Sequence, residues 1–128
     1  ALVTAVPGAS QVLAGGVIAY TEAVKTALLG VEPGCLAAHG AVSEPVALGM
    51  AAGVRDRVAS DYGLAITGFA GPGGGTSDVP VGTVWIGVVG PEGALSRRWH
   101  FAGDRERVRA FAAWAALDLL RRLATPGL

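Results

Sequence analysis

Residues 64–84 decide the fold, and they read Leu64-Ala-Ile-Thr67-Gly-Phe-Ala-Gly-Pro-Gly-Gly-Gly-Thr-Ser-Asp-Val-Pro-Val-Gly-Thr-Val84. A short apolar run over 64–66 stops at Thr67 and Gly68, and a second apolar run extends over 81–89. Short apolar runs bounded by glycine indicate β-strands. The stretch therefore predicts a strand, a glycine-rich loop and a second strand.

The loop between these strands is dense in glycine, with Gly71, Gly73, Gly74 and Gly75 followed by Thr76. Glycine allows φ > 0, and it lets the backbone approach a ligand without a Cβ in the way. Successive free N–H groups in such a loop form an anion-binding concavity. Two interpretations stay open, a cradle for a phosphate or carboxylate beside the Thr67 hydroxyl and a flexible surface connection.

Composition limits the classes of protein to which the chain can belong. Of its 128 residues, 52% are hydrophobic and 16% charged, which favours one folded domain over 1–128 rather than disorder. Ten basic residues balance ten acidic ones without a basic stripe, so we expect no nucleic-acid partner. Charged residues and glycine interrupt every apolar run, so we expect no membrane partner. The single cysteine, Cys35, excludes an internal disulfide, and with no signal peptide evident at the start the chain fits the cytoplasm.

The residues before the strand–loop–strand stretch predict several elements. Residues 1–6 run into Pro7-Gly8 and look like the last turn of a helix. Residues 16–20 are β-branched and aromatic and predict a strand. Thr21 is the predicted cap of a helix over 22–29 that ends at Gly30, and a further short helix is expected over 33–38.

A longer helix should follow, from a cap at Ser43 to about Ser60, because apolar residues recur there at helical spacing: Val46, Met50, Val54 and Val58. The strand over 81–89 turns at Gly90-Pro91-Glu92-Gly93 into a strand over 94–101, which makes a hairpin. Asp104 is the predicted cap of the last helix, which continues to about Leu123 before Pro126. Alternating helices and strands followed by a hairpin predict an α/β layered domain with a mixed sheet.

The last helix carries two apolar strips. One should cover the sheet, and it comprises Val108, Phe111, Ala112, Ala115, Ala116, Leu119 and Leu123. The other comprises Ala110, Ala113, Trp114 and Leu117. Soluble monomers seldom expose large contiguous apolar patches, so we expect a homodimer or larger assembly with Trp114 near the centre of its interface. A helix preceding residue 1 is the alternative cover.

Two side chains suggest chemistry. Cys35 and His39 stand four apart, but two ligands do not make a metal site and His100 lies far along the chain, so we expect no metal. Lys25 is the only lysine among the ten basic residues. A lysine amine can lose its proton whereas an arginine cannot, so this position is a candidate base. An ordinary surface lysine is the alternative.

The order of motifs resembles a known family. They are Gly15-Gly16-Val17-Ile18-Ala19-Tyr20 leading to Lys25, Leu29-Gly30-Val31, His39-Gly40-Ala41-Val42-Ser43-Glu44-Pro45, residues 66–76, residues 80–85, and Phe101-Ala102-Gly103-Asp104-Arg105. Together they resemble the C-terminal domain family of the competence/damage-inducible protein CinA, which includes stand-alone nicotinamide-nucleotide amidases. The resemblance covers nearly the whole chain.

The resemblance implies a three-layer α/β/α fold with a mixed sheet, no cofactor, no metal and frequent homodimers. It also implies a hydrolase of pyridine nucleotide salvage that converts nicotinamide mononucleotide to nicotinate mononucleotide and ammonia. A non-catalytic nucleotide-binding or protein-interaction module is the alternative function.

The chain departs from the family pattern in two places. The family's serine nucleophile sits in a Glu-Ser-Cys-Thr-Gly-Gly-like motif, which these 128 residues do not contain. We therefore expect the domain to be incomplete at its N-terminus and this chain to be inactive alone. Before the lysine, the family's Ser-Asn-Glu-Ala-Lys is replaced by Thr21-Glu22-Ala23-Val24-Lys25.

The resemblance assigns roles to the remaining residues. Lys25 is expected to be the base of a Ser–Lys pair, Thr67 a second hydroxyl that relays or orients, and Tyr20 a wall or hydrogen-bond donor. The loop from Gly71 to Thr76 is expected to hold the substrate, and Arg105 its phosphate. Each has a structural alternative. Lys25 would be a surface charge, Thr67 a strand-end hydroxyl bonded to the backbone, and Tyr20 a core ring. The loop would be a surface connection, and Arg105 would form an ion pair.

Overall fold

The computed structural model describes residues 2–3 and 5–125, which contain four helices and three strands. In chain order they are α1 Glu22–Leu29, α2 Pro33–His39, α3 Glu44–Val58, β1 Gly63–Gly68, β2 Thr83–Gly90, β3 Gly93–His100 and α4 Arg105–Ala124, and one turn of 3₁₀ helix lies at Ala9–Gln11. Within the described ranges, no helix is long and apolar enough to cross a membrane.

The three strands form one antiparallel sheet in the order β1-β2-β3. Ile66 of β1 lies opposite Ile86 of β2, and Gly90 pairs with Gly93 across the tight turn to β3. Because β2 is central, β1 and β3 each have one edge that no other described strand covers. The predicted hairpin is confirmed.

The two faces of the sheet pack against different helices. Val84, Ile86 and Val88 of β2 point to one face, where they join the buried residues of α4 in one apolar cluster. Gly87 points to the other face, where a Cβ would lie 2.9 Å from the Ala47 carbonyl group of α3. Glycine at this position therefore lets α3 lie directly on the sheet.

The short helices α1 and α2 pack on α3 rather than on the sheet. Leu29, Val31 and Leu36 are buried in a cluster with Val46, Met50 and Ala51 of α3 and Ala65 of β1. The contact between α1 and α3 depends on Gly53, because a Cβ there would lie 1.8 Å from the Leu29 carbonyl oxygen.

The predicted strand over Gly16–Tyr20 is wrong for the described structure. This segment has no regular secondary structure and belongs to no strand ladder, and its Ile18 is 90% exposed. Extended residues become a strand only when a neighbouring chain accepts their backbone hydrogen bonds, and no described strand adjoins them.

The observed sheet is antiparallel throughout, so the mixed sheet and the three-layer arrangement stay predictions.

Three smaller predictions also need correction. The described residues of 1–6 form turns rather than a helix end, while Ala1, Thr4 and Pro126 lie outside the described residues. Ser43 occupies the N-cap of α3, but its hydroxyl donates to the Gly40 carbonyl at 2.8 Å instead of capping the helix. Phe111 is 45% exposed rather than core, and its ring contacts that of the half-buried Phe101 instead of joining the buried cluster.

Candidate functional site

Lys25 is a buried amine on α1. The Thr21 side chain accepts a hydrogen bond from the Val24 amide at 3.2 Å, as the sequence predicts, and this cap fixes the first turn of the helix. Lys25 is 7% exposed, and its Nζ donates to the Ala19 carbonyl oxygen at 2.9 Å. Burial lowers the pKa of Lys25, and the nearby Glu22 carboxylate opposes that effect only in part. The surface-charge alternative is therefore excluded.

Thr67 is a buried hydroxyl at the end of β1. It is 6% exposed, and its Oγ1 donates to the Ala41 carbonyl oxygen at 2.7 Å. The hydroxyl hydrogen is thus used in a backbone contact, while the oxygen lone pairs can still accept a hydrogen bond. This contact matches the structural alternative, yet it leaves the oxygen able to orient a second donor.

A large groove, here called the edge groove, runs along the uncovered edge of β1. Its volume is about 890 Å³, and one wall is the segment that includes Ala19 and Tyr20 while the other is β1. Met50 of α3 and Leu120 of α4 also line it. The edge of β1 that no described strand covers and the segment that contains Ala19 and Tyr20 therefore line one mainly apolar groove.

Neither Lys25 nor Thr67 lines the edge groove itself, but each lies beside a residue that does. The Lys25 amine donates to the carbonyl of Ala19, which belongs to one wall, and Thr67 directly follows Ile66 of the other wall. Both walls also contact α3, because a Cβ on Gly15 would lie 3.4 Å from Val58 and one on Gly63 would lie 2.0 Å from the Ala51 carbonyl oxygen. Lys25 and Thr67 are therefore each attached to one wall of the edge groove.

Tyr20 is not a core residue. It lines the edge groove next to Ala19, the acceptor of the Lys25 amine, and at 80% exposure it is not packed there.

The glycine loop is partly held by its own hydrogen bonds. Gly71, Gly74 and Gly75 have positive φ, and a Cβ on Gly75 would lie 2.7 Å from the Val81 amide nitrogen. Thr76 closes a turn with Val79, because its amide donates to the Val79 carbonyl at 2.8 Å and its Oγ1 accepts from the Val79 amide at 3.0 Å. Gly73 is exposed with open space around its Cα.

Arg105 joins the start of α4 to this loop. Its Nη1 donates to the Gly71 carbonyl oxygen at 3.2 Å, whereas the expected alternative was an ion pair with Asp104 or Glu106. Asp104 instead caps α4, as predicted, by accepting from the Arg107 amide at 2.9 Å. The guanidinium is therefore partly engaged in holding the loop.

A second cavity, here called the α4 pocket, was not predicted. Its volume is about 250 Å³, and it lies between α4 and the end of β1, lined by Gly68, Ala70, Val108 and Arg109 among others. The spacing of Arg105 and Arg109 is the signal in the sequence, since residues four apart share one helix face.

Among the described residues, no group of three or more histidine, cysteine, aspartate or glutamate side chains could hold a metal ion. Cys35 is half-buried and His39 is exposed.

Comparison with known proteins identifies the family. The model of the CinA C-terminal domain matches residues 1–124. The chain belongs to the CinA C-terminal domain family. A CinA-like protein of Anaeromyxobacter sp. (strain Fw109-5) is 55% identical over 120 residues, covering 94% of this chain and 29% of that protein. A CinA-like protein of Mycolicibacterium paratuberculosis is 53% identical over 124 residues, covering 93% of this chain and 29% of that protein.

Solved structures of CinA relatives share the fold. The CinA superfamily protein from Escherichia coli superposes with a TM-score of 0.90 at 36% identity, over 94% of this chain and 70% of that one. The competence/damage inducible protein CihA from Agrobacterium tumefaciens gives 0.92 at 35% identity, over 95% and 75%. This CinA-family chain therefore spans about three tenths of the length of the CinA-like relatives above and about three quarters of these structures.

Proposed function

We propose that this CinA-family domain belongs to an amidohydrolase of pyridine nucleotide salvage, which acts in the cytoplasm and converts nicotinamide mononucleotide to nicotinate mononucleotide and ammonia. The observation that carries the proposal is Lys25, a buried amine with a lowered pKa that donates to Ala19 in one wall of the edge groove. Perturbed titratable groups beside a cavity are typical of catalytic sites.

Amide hydrolysis by this route needs a nucleophile, a base for its proton and a group that orients them. Lys25 in its neutral form accepts the proton of the attacking hydroxyl. Thr67 gives its own hydrogen to Ala41, so it acts through its lone pairs and orients a donor rather than attacking the amide. The nucleophile in this proposal is a serine of the family's Glu-Ser-Cys-Thr-Gly-Gly-like motif, supplied by chain other than the 128 residues.

The edge groove supports the finer prediction of a mixed sheet in a three-layer domain. Its walls are β1 and the segment that contains residues 16–20, and helices α3 and α4 line it from opposite faces of the sheet. A further strand seated there would pair with β1 and with residues 16–20 at once. It would be apolar on both faces, as central strands between two helical layers are.

The glycine loop and Arg105 form the proposed substrate end. The amides of Gly71, Gly73, Gly74 and Gly75 have no backbone acceptor among the described residues, whereas the Thr76 amide is used by Val79 and leaves Thr76 its side chain. Arg105 fixes the loop through Gly71.

The exposed side of α4 supports the proposed homodimer. Trp114 is 62% exposed and Phe111 45%, which are large values for aromatic side chains. Leu117 of the same predicted strip lines the edge groove instead, so the proposed interface centres on the two aromatic residues.

Ammonia release tests the proposed function. We expect the 128-residue chain to release no ammonia from nicotinamide mononucleotide, and the product of the full coding sequence that contains it to do so. The measurement is a coupled ammonia assay with the nicotinate mononucleotide product identified by mass. Equal rates from both proteins would contradict the proposed role of an additional serine and make Thr67 the candidate nucleophile.

A non-catalytic nucleotide-binding or interaction module is the second candidate. The Thr67–Ala41 hydrogen bond favours it, because that hydroxyl is already used within the fold. Nucleotide binding without ammonia release by the full-length product would support this candidate against the amidase.

A further inference from the structure

The α4 pocket contains a cation whose role is unassigned. Arg109 is exposed, lines the pocket, and makes no hydrogen bond or ion pair with the part of the chain that the structure describes. Arg105, one helical turn earlier, already donates to the Gly71 carbonyl. Of the two arginines on this face of α4, Arg109 is therefore the one with all its donors available.

The rest of the pocket is apolar or glycine. Ile66 and Gly68 come from β1, Ala70 from the loop, and Val108 and Ala112 from α4. A guanidinium beside such a surface interacts more strongly with an anion than it does in water, because the local dielectric is lower. Ala70 adds a potential donor, since its amide makes no backbone hydrogen bond among the described residues.

The volume of about 250 Å³ lies below the usual range for a whole small-molecule site, so the pocket would hold one end of a larger ligand. Thr67 and Gly68 are adjacent, yet Thr67 contacts Ala41 on the α3 side of the sheet while Gly68 lines the pocket on the α4 side. A ligand that crosses the end of β1 could thus reach Thr67 with one end and Arg109 with the other.

We propose that Arg109, rather than Arg105, binds the phosphate of the nucleotide substrate, in the α4 pocket. The inference rests on the proposed function for the identity of the ligand, and it assigns the two arginines different tasks. Arg109 forms a charge-assisted, bidentate contact with the phosphate. Arg105 positions the glycine loop and contributes to binding only through that loop.

Binding measurements on the product of the full coding sequence test this assignment. Titration calorimetry would compare nicotinamide mononucleotide with nicotinamide riboside, which lacks the phosphate. We expect Arg109→Gln to weaken binding of the mononucleotide about tenfold or more and to leave riboside binding unchanged. Arg109→Lys should recover part of the lost affinity. Inorganic phosphate should compete with the mononucleotide only in proteins that retain a positive side chain at position 109. Arg109 is exposed, so the melting temperature of Arg109→Gln should match that of the parent.

Arg105→Gln is the matched control. It should lower the melting temperature by releasing Gly71 and weaken both ligands equally, because its effect is not specific to the phosphate. Unchanged mononucleotide binding in Arg109→Gln, or a phosphate-specific loss in Arg105→Gln instead, would overturn the proposal. So would a parent protein that binds the riboside as tightly as the mononucleotide. Phosphate-dependent binding through Arg109 without ammonia release would contradict the proposed amidase and leave the Arg109 assignment standing.

Discussion

The Nζ of Lys25 lies 2.9 Å from the carbonyl oxygen of Ala19, with the lysine side chain almost completely removed from solvent. Ala19 belongs to the wall of the edge groove that faces β1. Among the described residues, the Ala19 carbonyl is the hydrogen-bond acceptor of the amine, and the Glu22 carboxylate acts on it only through its charge, which offsets part of the effect of burial. Such a setting favours the neutral amine, which is the form that a base requires.

Replacing Lys25 by methionine in the full-length product should remove the chemical step and keep the fold. Ammonia release should fall about a hundredfold or more, which is the usual contribution of a general base. Arg122→Met, at an exposed residue of α4, is the control for loss of a positive charge. Turnover at the parent rate, with a normal circular dichroism spectrum, would show that Lys25 is not the base.

Lys25 should also affect stability in a pH-dependent way. Its folded-state pKa is below the ordinary value of 10.5, so between those two values the unfolded chain binds more protons and the free energy of unfolding rises with pH. Lys25→Met should therefore show its largest stability advantage over the parent at pH values below the folded-state pKa, and that difference should shrink as the pH rises from there to 10.5. Urea unfolding of both proteins across this range measures it, and a difference that grows with pH would contradict the lowered pKa.

The α1–α3 contact predicts opposite effects for two glycines on one helix. Gly53→Ala should destabilise the protein by about 1–3 kcal/mol or more, because the new Cβ would meet the Leu29 carbonyl oxygen at 1.8 Å. Gly49→Ala should be neutral or stabilising by up to about 1 kcal/mol, since its Cβ would have an ordinary 3.7 Å contact with Val31 and alanine favours helix. Chemical denaturation of both variants tests the pair, and equal stabilities would mean that α1 moves freely on α3.

The exposed aromatic residues of α4 predict self-association of the full-length product. Light scattering should give a dimer or larger assembly, and Trp114→Arg should shift it toward the monomer because it places a charge at the centre of the proposed interface. Arg122→Met serves again as the control. A clean monomer for the parent at high micromolar concentration would show that Trp114 is covered within one chain or stays in solvent.

Local signals predicted the helices well because caps act within a few residues. Thr21 and Asp104 each accept the amide hydrogen bond expected of an N-cap, and α1 and α4 begin where those residues predict. The segment 16–20 shows the limit of this approach. Its residues suit a strand, but a strand needs a neighbour, and the sequence of the segment contains no information about whether one is present.

The candidate site was predictable in its residue types but not in its contacts. Lys25 stands out because it is the single lysine, and its burial agrees with that signal. The acceptors at Ala19 and Ala41 are backbone carbonyls, and any residue type can supply one, so the sequence could not identify them. The motif that carries the family resemblance at the start of α4 ends at Arg105, so it gave no reason to expect Arg109 at a pocket.

The uncovered edge of β1 also determines how the 128-residue chain behaves when it is prepared in isolation. Its outward amide and carbonyl groups, with the partly exposed Ile66 beside them, can pair with any extended peptide of suitable register. Molecules of the isolated chain can therefore recruit one another edge to edge, and such association grows with concentration and time. A strand paired with that edge would therefore also limit self-association of the chain.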